Sequence, residues 1–146
     1  MLRKWIPSGV YGDEEHKEYV LQSSSDSPKD FILEDRITGC IVGEMTFHLW
    51  FVERTWEIGW LILPPYQGKG YASEAAKELI NVGFGVMELH RIIATAQPEN
   101  PASSRVMEKV GMRREGLFKQ CIPRPDGTWW DEVLYAVLAE EWKAAG

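Results

Sequence analysis

The sequence predicts an α/β (α+β) fold: a mixed, mostly antiparallel twisted sheet with a central parallel pair and helices on both faces. Three observations carry that prediction. Alternation of apolar and polar residues from Cys40 to Phe51, and again from Trp56 to Leu63, marks two long strands joined at Glu53-Arg54. Apolar residues spaced three and four apart between Ala72 and Met87 mark an amphipathic helix. A short run from Arg91 to Ala96, centred on Ile92-Ile93-Ala94, follows it, so strand, helix and strand form a parallel unit.

The remaining elements fall around this centre. Asp13 to Gln22 reads as a short helix with Asp13 as its N-cap, and Ser23 to Pro28 as a polar connector. Phe31 to Glu34 is a strand that turns at Thr38-Gly39. In the Trp56–Leu63 strand, Trp56, Ile58, Trp60 and Ile62 share one face, while Glu57, Gly59, Leu61 and Leu63 share the other. Pro64-Pro65 ends it, because proline cannot donate to a ladder. A second helix runs from Pro101 to about Val110, with Asn100 as cap and Gly111 as its left-handed close. Gly116 to Cys121 and Thr128 to Leu138 read as an antiparallel pair joined through Pro125-Asp126-Gly127.

With 146 residues, 45% of them hydrophobic, residues 1–146 are expected to form a single domain able to bury a core. The net charge of −6 disfavours a phosphate backbone as partner and suits a cationic one, although charge of this size also serves solubility alone. Cys40 and Cys121 stand far apart, in neither zinc nor disulfide spacing. Met1 to Pro7 has basic residues with no apolar run behind them, and no stretch reaches the ~20 apolar residues of a membrane span. A cytoplasmic protein without membrane or nucleic-acid partners is the expectation. His16, His48 and His90 make no metal or triad pattern, and no metal is expected.

The chemically informative stretch is Gln67-Gly68-Lys69-Gly70-Tyr71-Ala72. It joins a strong strand to a strong helix, yet it offers no Ser, Thr, Asp or Asn as N-cap. The first amides of the helix are left without a side-chain acceptor, and two glycines let the backbone bend around a guest. Such a helix start suits an anion, most often phosphate. The Walker spacing is absent, and Ser73 stands where the dinucleotide fingerprint needs its third glycine.

Gln67-x-x-Gly70-x-Ala72 resembles the acetyl-CoA pyrophosphate loop of the GNAT superfamily of N-acetyltransferases. Glu57-Ile58-Gly59-Trp60, Pro64, Tyr66 to Ala72 and Glu74-Ala75 are similar to the subfamily that acetylates ribosomal-protein N-termini. So are Asn100 to Met112, Glu115-Gly116 and the Asp131–Leu138 strand. The resemblance spans residues 5 to 138, in the order of the elements above. Members of that family begin with another strand and helix. Both are therefore expected to be missing here, leaving the domain short at its N-terminus with an open sheet edge that invites a homodimer.

The resemblance implies acetyl-CoA as cosubstrate and a primary amine as acceptor: a peptide N-terminus, a polyamine or another small amine. Gln67, Gly68, Lys69, Gly70, Tyr71 and Ala72 would hold the pyrophosphate. The backbone of Leu61, Ile62 and Leu63 would line the extended arm and meet the oxyanion. Asn100 and Ser103 would touch the cosubstrate, and Ser103 could donate toward the sulfur. Periodicity alone reads Glu57 as a solvated or ion-paired side chain; the resemblance makes it the base. Many relatives carry a tyrosine general acid four residues past Ser103, where this chain has Met107. That departure keeps open a catalytically silent acyl-CoA-binding module on the same fold. An unrelated phosphate-binding α/β domain is the third reading.

Overall fold

A computed structural model describes residues 2–4 and 29–146. Among them, seven strands form one sheet in the order β1-β2-β3-β4-β5-β7-β6. In chain order the strands are β1 (Leu2–Lys4), β2 (Lys29–Glu34), β3 (Ile41–Leu49) and β4 (Thr55–Ile62). They continue with β5 (Arg91–Ala96), β6 (Arg113–Pro123) and β7 (Trp129–Leu138), and the helices are α1 (Tyr71–Gly85), α2 (Pro101–Lys109) and α3 (Ala139–Ala145). The parallel pair is β4 with β5; the other pairings are antiparallel. The mixed sheet with a central parallel pair is thus as the sequence predicts.

The predicted faces hold. Trp56 and Ile58 are buried with Phe47, Leu79, Ile92 and Met107 in the main core, whereas Glu57 points the other way and stays partly exposed. The helices α1, α2 and α3 all contribute to that core face. A smaller group on the opposite face, Ile93, Leu134 and Ala136, is covered by Trp50. Helices are predicted on both faces; the remaining one, Asp13 to Gln22, lies outside the described residues, as does the Ser23–Pro28 connector.

Where the sequence predicts no strand ahead of Phe31, the structure places β1 at the sheet edge, Arg3 opposite Ile32. This short edge strand is an element that the sequence reading does not contain. Three residues, two of them basic, are too few to show an alternation. Other boundaries shift by one to three residues. β3 stops at Leu49, where the Trp50 amide donates to Thr55 O at 2.9 Å and closes the hairpin. α1 stops at Gly85 instead of Met87, because Glu88 turns left-handed (φ 55°) and the Leu89 amide returns to Gly83 O at 3.0 Å. This closure reaches one residue further back than the six-to-one bond usual after a glycine, and no glycine signals it. β6 is longer than expected and bulges between Phe118 and Ile122, where the Asp131 carboxylate accepts from the Gln120 amide at 2.7 Å.

Candidate active site

Parallel strands direct their helices' N-termini to one edge of the sheet. Here α1 follows β4 and α2 follows β5, so both N-termini face one cleft at the strands' C-terminal ends. Its volume is about 470 Å³. Trp60, Leu61 and Ile62 of β4 line it, with the loop from Tyr66 to Gly70, the first turn of α1, and Asn100, Ala102, Ser103, Arg105, Val106 and Lys109 around α2.

The loop is built as its glycines imply. Gly68 and Gly70 have φ of 77° and 85°, and a Cβ on either would point into open space. Gly70 is the N-cap of α1 and provides no side-chain acceptor. The opening amides of α1 therefore lack a cap from that residue and face the cleft with the positive end of the helix dipole. Gln67 turns inward: its Nε2 donates to Ile62 O at 3.0 Å and ties the loop to the strand end. Tyr71 reaches back to donate its hydroxyl to Asp35, in the turn after β2. That bond, aided by the amides of Thr38 and Ile37, lowers the Asp35 carboxyl to about 2. It also pushes the Tyr71 phenol up.

Asn100 caps α2 as predicted, its Oδ1 accepting from the Ser103 amide at 3.3 Å. Ser103 lines the cleft. Arg105 and Lys109, not among the residues predicted for the site, also line it. They lie one helical turn apart, and together with Lys69 they concentrate positive charge in a chain of net charge −6. Their spacing was the available signal. Met107 is fully buried in the core and does not line the cleft. Tyr135 is a core aromatic whose hydroxyl donates to Glu108 at 3.1 Å.

The β4–β5 ladder is short. It pairs Thr55, Trp56 and Glu57 with Arg91, Ile92 and Ile93, and then the strands diverge. The backbone of β4 beyond Glu57 thus borders a split in the sheet. Leu63 cannot serve the predicted oxyanion role, because its amide donates to Val42 O at 2.8 Å. Alternation along the β3–β4 ladder turns the Leu61 amide the same way and leaves those of Trp60 and Ile62 facing the split.

Glu57 stands where the split begins, on the sheet face opposite the main core. Its Oε1 lies 3.0 Å from His48 Nε2, and its Oε2 accepts from the Thr95 hydroxyl at 3.1 Å. His48, scattered in sequence, meets Glu57 directly across the β3–β4 ladder. Glu132 of β7 lies near Glu57 and Thr95. Burial pushes its carboxyl above the usual range, the Glu57 charge adds to that, and a hydrogen bond with Thr95 opposes it. Glu57 does not line the cleft; about five strand residues, roughly 16 Å, separate it from Ile62.

An uncapped helix start beside a split sheet suits a phosphate-bearing ligand. The GNAT acetyltransferase domain matches residues 1–113, and the chain belongs to that family of N-acetyltransferases, which use acetyl-CoA. It is 52% identical over 141 residues to the uncharacterized N-acetyltransferase YnaD of Bacillus subtilis (strain 168), covering 97% of this chain and 82% of the relative. The crystal structure of a GNAT-family acetyltransferase from Bacillus anthracis superposes with a TM-score of 0.71 at 50% identity, over 93% of this chain and 80% of that one. The [ribosomal protein uS5]-alanine N-acetyltransferase of Escherichia coli (strain K12) is 33% identical over 85 residues, 58% of this chain and 43% of the relative. Among the described residues no helix is long and apolar enough to cross a membrane.

Proposed function

We propose that residues 1–146 act as one N-acetyltransferase domain that moves the acetyl group of acetyl-CoA directly onto a primary amine, both reactants bound together. The observation that carries this reading is the uncapped N-terminus of α1 over a cleft lined by Lys69, Arg105 and Lys109. Bare amides, a helix dipole and three cations suit a diphosphate. Gly68, Gly70, Tyr71 and Ala72 hold it through the backbone, while Gln67 braces the loop. The extended arm of the cosubstrate runs along β4 from Ile62 toward Glu57.

In the reaction the amine nitrogen attacks the thioester carbonyl carbon. Glu57 takes the proton the nitrogen sheds, directly or through water. Of the β4 amides facing the split, that of Trp60 is nearer to Glu57 than that of Ile62 and stabilises the oxyanion. The C–S bond then breaks, and the thiolate gains a proton with Ser103 as the nearest candidate donor on α2. The acceptor is a peptide N-terminus or a small amine. An α-amine, with an ordinary pKa of about 7.7–8.0, needs less help from Glu57 than a lysine or polyamine at about 10. The ribosomal-protein relative supports the α-amine. Met107 favours one second reading, a silent acyl-CoA-binding module, because α2 carries no tyrosine.

Glu57→Gln is expected to slow thiol release from acetyl-CoA by about a hundredfold and to leave CoA affinity, measured by calorimetry, within twofold. Unchanged turnover removes Glu57 as the base. Wild-type protein that binds acetyl-CoA yet acetylates none of a panel of peptides and amines supports the silent module.

A further inference from the structure

Glu57 has a neighbour that no step above uses. Glu132 projects from β7 on the same face as Leu134 and Ala136, beyond the position where Leu134 pairs with Thr95. The Thr95 hydroxyl lies between the two carboxyls, donating to Glu57 Oε2 at 3.1 Å and bearing also on Glu132. A hydroxyl has one proton, so it serves one carboxylate at a time. Among the described residues, the basic partner of the pair is His48, on the far oxygen of Glu57, and neither carboxyl meets a lysine or arginine. Two half-buried carboxylates held this way leave one positive charge wanting.

The place is also where a reactant must lie. The ladder between β4 and β5 ends at Glu57 and Ile93, so the face carrying the carboxyls opens there toward the cosubstrate side. The next β4 residue on that face is Gly59, which puts no side chain into the opening. We propose that Glu132 is a second anchor for the acceptor, holding its ammonium jointly with Glu57 across the Thr95 hydroxyl at the mouth of the split. The amine is thereby collected as a cation; it passes one proton through Glu57 to water, attacks as the neutral amine and sheds its second proton to Glu57, and neutral nucleophiles are not retained. The inference rests on Glu57 marking the acceptor side.

The test separates binding from turnover. Acetyl transfer is measured for wild type, Glu132→Gln, Glu132→Asp and Glu57→Gln with n-butylamine, 1,3-diaminopropane and an alanine-initiated tetrapeptide. Glu132→Gln is expected to raise KM for the amines roughly tenfold with kcat within twofold, and Glu132→Asp to recover part of the loss. The KM for acetyl-CoA should not move. KM values within twofold for both Glu132 variants, alongside a large loss in Glu57→Gln, overturn the inference and leave the proposed function standing. A Glu57→Gln protein with full turnover overturns both. If no amine is acetylated, carboxyl 13C NMR decides: 1,3-diaminopropane should shift the Glu132 resonance in wild type, and an unmoved resonance overturns the inference.

Discussion

The loop proposed to grip the cosubstrate is held by single contacts from a distant turn. Asp35 accepts from Tyr71, Thr38 and Ile37, and its carboxyl sits at about 2, against 3.8 unperturbed. A depressed carboxylate contributes stability that is fully present above its unfolded value. That contribution is lost as pH falls through the folded one. Acid titration from pH 4 to 2 should therefore release Tyr71 from the turn. Tyr71→Phe is expected to raise the Asp35 pKa toward 3.8, as read by carboxyl NMR, and its stability deficit against wild type should shrink across that window. At this scale the sequence was partly legible. The glycines, the missing N-cap and the Asn100 cap are local features, and they are where the residue types imply. The partners Asp35–Tyr71, His48–Glu57 and Thr95–Glu57 are not local. They depend on strand register, which no short window of sequence contains.

Elements were legible by period and blurred at their ends. The alternation gave the correct faces in β4 and in β3 from Gly43 on, and the spacing in α1 gave the correct buried side. At the start of β3 the register shift opposite Leu33 and Glu34 buries Val42 and exposes Ile41, against the predicted alternation. The ends of α1 and β6 escaped because Glu88 and Gln120 take left-handed conformations without being glycine, φ 55° and 48°. The divergence of β4 from β5 escaped because both strands remain regular in sequence while their pairing stops. One close approach does carry a residue-type signal: a Cβ on Gly43 would lie 2.2 Å from the Leu61 carbonyl oxygen. Gly43→Ala must push β3 away from β4 at the cleft. The expected cost is about 2 kcal/mol in denaturant unfolding, with a weaker grip on CoA, since Leu61 and Ile62 line the cleft. A variant as stable as wild type would show that the pair separates there at no cost.

On the scale of the molecule, the cleft exists only where α1, α2 and β4 meet, so the proposed function couples folding to the cosubstrate. Acetyl-CoA at a hundred times its Kd is expected to stabilise the protein by about 2.7 kcal/mol, read as a rise in Tm that grows with concentration. A Tm indifferent to acetyl-CoA, with free adenosine bisphosphate equally inert, would remove the cleft as the nucleotide site. The fold class was legible because strand, helix and strand leave few topologies. The edge strand β1 was not, since three residues hold no period.

The split between β4 and β5 makes the sheet a partition with a slot in it rather than a wall. On the proposed function the nucleotide and the nucleophile would approach from opposite sides and touch only through that slot. Neither would then block the other's entrance, so spent CoA should compete with fresh thioester for its berth and leave the amine's doorway clear.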